Sequence, residues 1–415
     1  MIYSHISRFY INLSLKKIFI FLFSVLFKIN KKKIFLNKLQ KIFKTKNILL
    51  TSQGRTALYY ILKNIISDKK REIIISPYTL PEVIYCIVYS GGLPVFVDIN
   101  IKTGLIDLDK LKQNINSKTA GVIITHLYSD CENYEKIRKY IIKKGSFVIE
   151  DSAINFGAKQ NNKFLGKRSD FAFYSFNLVK NINLFYGGMI YVKNNQQFKE
   201  IKKNIQNLKK FPTGELIKQF SLGIIIYILN KKLIYNLLSK NLFIWLEKNN
   251  IIFFLKKIYP GKYSIKQNKI PKNYNYSFPD YSAGLGLEQL KNFQTINQSK
   301  IKISKKYYKN LFQVDGIIVP KINYKTQISI FLEYPIIIKN NNKKKLYNFL
   351  LSKGIYLRNH WYINASKYFK TRRKYQNADY LENNLLCLPT HEKISLEYLN
   401  LICDEIKNFY LNENI

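Results

Sequence analysis

Acidic residues are scarce: the 415-residue chain holds 26 Asp and Glu against 68 Lys and Arg, a formal net charge of +42. Such a balance invites a nucleic-acid or anionic-membrane surface. Ala, Gly and Arg are also scarce while Lys, Ile, Asn and Tyr are over-used, the bias of an AT-rich genome, so a solvated lysine-rich surface accounts for most of the charge. No helix-turn-helix or RNP pattern accompanies it, and nucleic acid is not an expected partner. Histidine is sparse, with four in the chain, and the four cysteines, Cys86, Cys131, Cys387 and Cys403, lie far apart without a CxxC pair. Neither a zinc site nor a disulfide framework fits, no metal is expected, and the thiols read as core residues in a reducing compartment. Long apolar runs are missing too. The stretch Ile18 to Phe27 is shorter than the roughly 20 residues that span a bilayer, and no small-residue cleavage site follows it. A cytoplasmic protein is expected, with peripheral contact to the inner face of a membrane where lysines flank apolar stretches.

What is present is a 47% hydrophobic chain, long enough for two or three domains and without an internal repeat. Residues 1–46 form a basic N-terminal extension with no acid, read as an interfacial amphipathic helix or as a helix packed on the body. Residues 47–192 alternate short β-branched runs with helical stretches. Ile73 to Ile75, Pro94 to Val97, Gly121 to Thr125, Ser146 to Glu150, Phe171 to Phe176 and Met189 to Val192 read as strands, several apolar on both faces. Helical patterns cover Thr56 to Ile66, Leu80 to Tyr89 and Glu132 to Lys144, which makes this an α/β domain with a mostly parallel sheet. Residues 193–272 read as a helical insertion, with apolar clusters at Leu222 to Leu229 and Leu242 to Leu255 broken by lysines. Residues 273–415 read as a smaller α+β domain containing a strand across Ile328 to Ile338.

The chemistry concentrates in two strand ends. Phe147 to Asp151 reads as a buried strand delivering Glu150 and Asp151 to the C-terminal edge of the sheet, where α/β folds bind ligands. Phe171 to Phe176 delivers Ser175, and then Lys180, to the same edge. A carboxylate and a lysine there suit a pyridoxal cofactor, the acid on the ring nitrogen and the amine on the aldehyde; an ordinary salt bridge fits the same spacing. A small polar turn, Thr51 to Leu58, opens a helix whose free amides make a phosphate site or a plain cap.

These blocks, in this order and spacing, resemble the DegT/DnrJ/EryC1/StrS family of sugar aminotransferases, fold-type I pyridoxal-phosphate enzymes. The resemblance runs over Asn47 to Val192 and from Asn275 onward. It implies Lys180 as the Schiff-base lysine, Asp151 on the pyridine nitrogen, and Gly54, Arg55, Thr56 and Ser175 around the phosphate. The family's ring-stacking aromatic falls on Leu80, with Tyr78 as a substitute, and the glutamine three residues past the aspartate falls on Ile154, with Asn155 beside it. His126 matches a histidine near the cofactor, and a core histidine fits equally. Asn275 matches an asparagine that reaches the neighbouring subunit's phosphate, which implies a homodimer with shared sites, while the family's arginine two residues later is Ser277. His360 and Trp361 match a substrate-side pair, Arg358 reads as a phosphate ligand or a solvated arginine, and His391 as structural. The implied reaction is amination of a nucleotide-linked keto-sugar by an amino-acid donor, glutamate by analogy, for cell-surface polysaccharide. The alternative is an altered descendant that binds a membrane or a regulatory partner.

Overall fold

The computed structural model describes residues 5–8, 10–128, 131–249, 251, 270–320, 327–359, 362–369, 371 and 373–413. Runs that are apolar on alternate and intervening positions alike need cover on both faces, and a central sheet with helices on each side provides it. Its seven strands lie in the order Ile48–Thr51, Gly188–Val192, Phe171–Ser175, Phe147–Asp151, Thr119–Thr125, Glu72–Ile75 and Leu93–Phe96. The last five are mutually parallel, and Gly188–Val192 runs antiparallel to both of its neighbours. One face packs Ile73, Ile149 and Phe171 against the helix Gly54–Ile65. The other packs Val122, Ile124 and Val148 against the helix Cys131–Lys143. This is the α/β arrangement expected, with strand ends moved by a residue or two.

The second unit is a three-stranded antiparallel sheet, Ile317–Ile318, Glu333–Ile338 and Leu385–Pro389, with Leu346, Leu350, Leu399 and Ile402 of two helices in its core. A 29-residue helix, Ala283–Leu311, joins the two units. Its Leu290 and Phe293 enter a cluster with Phe156 and Phe176, and its Ile303, Tyr307 and Leu311 enter the core of the smaller unit. A continuous helix fixed at both ends sets the two walls of the cleft at a constant spacing.

The N-terminal residues form helices Leu15–Leu26 and Lys32–Phe43, which bury Phe21, Phe35, Leu39 and Phe43. They dock on the long helix at a notch: a Cβ on Gly286 would lie 2.6 Å from Phe35 Cε2, so only glycine admits this approach. Helix Leu15–Leu26 still leaves Leu15, Phe19, Leu22 and Leu26 exposed. Within the insertion, helices Thr213–Leu229 and Lys232–Lys248 meet at a 70° bend, and among the described residues no single helix is long and apolar enough to cross a membrane.

Several sequence expectations change. Ile48–Thr51 is an unanticipated edge strand, and Leu108–Asn114 an unanticipated helix capped by Asp107. The strand read across 328–338 is confined to Glu333–Ile338, while Gln327–Ile328 pairs with Lys159–Gln160. Helix Asn195–Gln206 sends Ile201 and Ile205 into the core of the large sheet, so it belongs to that unit and not to the insertion. Three cysteines, Cys86, Cys387 and Cys403, are free and buried; the side chain of Cys131 lies outside the described residues.

Candidate active site

Asp151 ends its strand level with Phe173 on one side and Thr125 on the other, at the C-terminal edge of the parallel strands. Adjacent strand residues face opposite sides, and this separates the two acids. Asp151 opens into a cavity of about 220 Å³ together with Lys180. Glu150 turns away and is fully buried, where His126 Nε2 lies 2.8 Å from it, Tyr134 Oη donates at 2.6 Å and the Gly166 amide at 2.7 Å. Burial alone would raise the Glu150 pKa; the His126, Tyr134 and Gly166 bonds outweigh it and hold the carboxyl below its usual range. His126 is thereby committed to Glu150 and does not line the cavity, which favours the core histidine of the two readings.

Burial shifts the two groups in the cavity in opposite directions. It raises the Asp151 carboxyl, an effect reduced by the Ala153 amide at 3.0 Å and by the charge of Lys180. It lowers the Lys180 amine to about 8, against the pull of Asp151 and with a further push from Arg358. A buried carboxylate with an unmet demand for a cation fits a pyridinium nitrogen, and a partly neutral buried amine fits a nucleophile toward an aldehyde.

The other end of the cavity is the start of helix Gly54–Ile65. Its first helical bond runs from Ala57 N to Gln53 O at 3.0 Å, so the amides of Gly54, Arg55 and Thr56 precede the hydrogen-bonded ladder. Gln53 gives no side-chain cap, and its buried Oε1 lacks a hydrogen-bond partner. Strand Phe171–Ser175 passes so close that a Cβ on Gly54 would sit 3.0 Å from Ser175 Cβ. Gln53, Gly54, Arg55 and Ser175 all line the cavity, a donor set that fits a phosphate. The residues present therefore fit pyridoxal phosphate at both of its ends.

The other predicted positions divide. Leu80 lines the cavity with Thr79, but Tyr78 is buried against Tyr362, ring centroids 5.8 Å apart, and cannot stack on a ligand there. Thr56 turns its hydroxyl to Ser52 at 2.8 Å and does not line the cavity. Ile154 lines the cavity, whereas Asn155 donates to the His126 carbonyl at 2.8 Å. Asn275 is exposed and outside this cavity. Arg358 lines the cavity but is not solvated: it donates to Glu333 Oε2 at 2.6 Å. His360 and Trp361 lie outside the described residues. His391 is buried, with Nε2 2.8 Å from the Ser7 carbonyl, in keeping with a structural reading, yet it also borders the cavity.

The sequence reading missed several contributors. Asn181 follows Lys180 and accepts a bond from Lys300 at 2.6 Å, and Tyr362 follows the His360–Trp361 pair that was singled out. Glu333 was hidden inside a run read as one strand. Arg8, Tyr10 and Asn12 form a strap from the N-terminal segment along the cavity wall. Arg8 is held by the Leu357 carbonyl at 2.7 Å and the Tyr356 hydroxyl at 2.8 Å.

Fold and cavity together define a pyridoxal-phosphate-dependent aminotransferase of fold-type I. The DegT/DnrJ/EryC1/StrS aminotransferase family matches residues 26–215 and 258–407, and the chain belongs to it. The match starts within the N-terminal helices and reaches further than the two blocks read from motifs. The chain is 24% identical over 382 residues to the dTDP-4-amino-4,6-dideoxy-D-glucose transaminase of Shigella dysenteriae, covering 89% of this chain and 88% of that protein. It is 32% identical over 139 residues to the GDP-perosamine synthase of Escherichia coli O157:H7, covering 34% of this chain and 38% of that protein. Among solved structures, PseC of Helicobacter pylori, an aminotransferase involved in the biosynthesis of pseudoaminic acid, superposes with a TM-score of 0.74. At 18% identity it covers 98% of this chain and 99% of its own, a likeness of fold.

Proposed function

We propose that this enzyme transfers an amino group from an amino acid, glutamate by family analogy, to the ketone of a nucleotide-linked sugar for cell-surface polysaccharide assembly. The observation that carries the reading is the pairing of Lys180 and Asp151 in one cavity, with opposite pKa shifts, facing the opening turn of a helix. Both groups would be idle in a purely regulatory descendant.

Pyridoxal phosphate, when bound, supplies an aldehyde for the amino group and a ring that takes up the electron pair released at the substrate carbon. Lys180 Nζ, nearer neutrality than a surface lysine, would take the proton from the carbon bearing the nitrogen and return it at the neighbouring position. Asp151 would hold its negative charge toward the ring nitrogen. The amides of Gly54 and Arg55, with Ser175 Oγ, would receive the phosphate, with the Thr56 amide one residue further into the helix. Leu80, Val83 and Ile154 supply an apolar wall that keeps water from the reacting carbon.

Asn275, exposed and away from its own cavity, supports a homodimer in which it completes the partner subunit's site. Leu233, Leu237, Leu238 and Trp245 are exposed on one inserted helix, and Leu15, Phe19, Leu22 and Leu26 on the first. With the exposed Lys28, Lys31, Lys33 and Lys248 beside them, these residues support peripheral binding of a cytoplasmic enzyme to an anionic leaflet. The test of the function is a screen of keto-sugar nucleotides with glutamate and reconstituted enzyme, reading 2-oxoglutarate and the aminated sugar. Failure of the protein to take up pyridoxal phosphate, seen as no visible absorbance, overturns it.

A further inference from the structure

Beside the catalytic cavity lies a second one of about 600 Å³, and the two share Tyr10, Asn12 and His391 as a common partition. The first, at about 220 Å³, is below the roughly 300–1,000 Å³ of ligand sites in general and is claimed in large part by the cofactor. A sugar carrying a nucleotide has to extend beyond it, and the second cavity is the adjoining space.

Three parts of the chain build that space: the N-terminal strap, the bend between the two inserted helices, and the approach to the last helix. Lys17, Lys231, Lys232 and Lys393 line it, against the single carboxylate of Glu397 among the described lining residues. Lys231 is held in place at the rim, its Nζ 4.2 Å from the Tyr227 ring centre and donating to the Tyr227 hydroxyl at 2.6 Å. The polar lining is unusually unsatisfied. Asn230 Oδ1 and Nδ2, Asn12 Nδ2, His5 Nδ1 and His391 Nδ1 are all buried without a hydrogen-bond partner. Buried polar atoms left open are costly, and their convergence on one cavity marks a place where a polar ligand belongs. Residues 227–232 fall between the two stretches matched by the family, so family membership does not assign this site.

We propose that this second cavity is a nucleoside diphosphate site, with the lysines on the diphosphate and the Asn230 amide, donor and acceptor on one side chain, on the edge of the base. The sugar passes the partition at Tyr10, Asn12 and His391 toward Lys180. This rests on the aminotransferase reading above and deepens it.

Titration calorimetry of the cofactor-loaded enzyme at low salt with UDP, dTDP, GDP and inorganic pyrophosphate tests the assignment. Wild type is expected to bind at least one nucleoside diphosphate more tightly than pyrophosphate. Asn230→Leu should weaken that nucleoside diphosphate about tenfold and leave pyrophosphate unchanged, whereas the double variant Lys231→Gln/Lys232→Gln should weaken both about tenfold or more. Uptake of cofactor and release of 2-oxoglutarate from glutamate, without any sugar, should stay at the wild-type level in each variant. Should Asn230→Leu fail to fold, the double variant, at two exposed positions, carries the test. Absence of nucleoside diphosphate binding by wild type, or affinities untouched in the double variant, overturns the proposal. An enzyme that aminates a keto-sugar phosphate lacking a nucleotide, yet binds no nucleoside diphosphate, sinks the second site and leaves the aminotransferase standing. A protein that takes up no cofactor sinks the aminotransferase reading instead.

Discussion

Lys300 reaches from the long helix to Asn181 Oδ1 at 2.6 Å, tying the element that joins the two units to the residue next to Lys180. Lys300 is 5% exposed, and burial lowers its pKa to about 8, against the charges of Glu392 and Glu333. The cleft thus holds two buried amines, Lys180 and Lys300, that both titrate near 8.

Their effect on stability has a defined sign. An unfolded lysine titrates near 10.4, so between about pH 8 and 10 the unfolded chain binds more protons than the folded one, and stability rises with pH. Below pH 8 both amines are charged in either state and the gain is lost. The buried thiols of Cys86 and Cys403, pushed up to about 12, act in the opposite sense over this range, so the amine is read by difference: cofactor-free Lys300→Met should have a higher urea midpoint than wild type at pH 7, and the gap should narrow from pH 8 to 10. Parallel profiles for the two proteins would show that Lys300 is not held near neutrality.

Lys180→Ala should abolish the borohydride-stable attachment of pyridoxal phosphate to the chain and lower turnover by at least about 10³-fold. Mapping of the reduced peptide checks the first expectation. Asp151→Asn should keep the attachment at Lys180 but lose roughly 10²–10⁴ in turnover, because the ring nitrogen loses its anionic partner. Wild-type rates in Asp151→Asn would mean that another carboxylate serves the ring.

His126→Leu distinguishes a core histidine from a cofactor ligand. Removing one of three partners of the buried Glu150 should destabilise the protein by about 1–3 kcal/mol in denaturant titrations. Cofactor affinity and turnover at saturation should stay within about twofold. A loss of cofactor affinity larger than the loss of stability would return His126 to the site.

Sedimentation with anionic liposomes at low and high salt tests the exposed apolar residues of the first and inserted helices. Binding should be strong at low salt, fall at high salt, and weaken when Leu233, Leu237 and Trp245 are changed together to Ser. Protein that stays in the supernatant under both conditions would assign these faces to subunit contacts.

The reach of the sequence follows from which forces act locally. Strands such as Gly121 to Thr125 and the edge position of Asp151 and Lys180 were legible because continuous apolar runs and strand ends are local patterns. The division between Glu150 and Asp151 was legible in principle, since alternation alone sends neighbours to opposite faces, and His126, two residues past the Ile124 that pairs with Glu150, falls on the Glu150 side. Edge strand Ile48–Thr51 escaped because four residues carry no period, and the sheet partner that makes them a strand lies about 140 positions away. Arg8, Tyr10, Glu333 and Lys300 escaped for the same reason: nothing near them in the chain announces that the long helix and the strap bring them to Lys180.

The strap makes one wall of the cleft the most non-local part of the site. Ser7 meets His391 and Arg8 meets Leu357, contacts across 384 and 349 positions of the chain. Closing loops of that length costs more entropy than pairing neighbouring strands, so contacts of this kind form late in folding. On refolding, the sheet that carries Asp151 and Lys180 therefore assembles before the wall that completes their pocket.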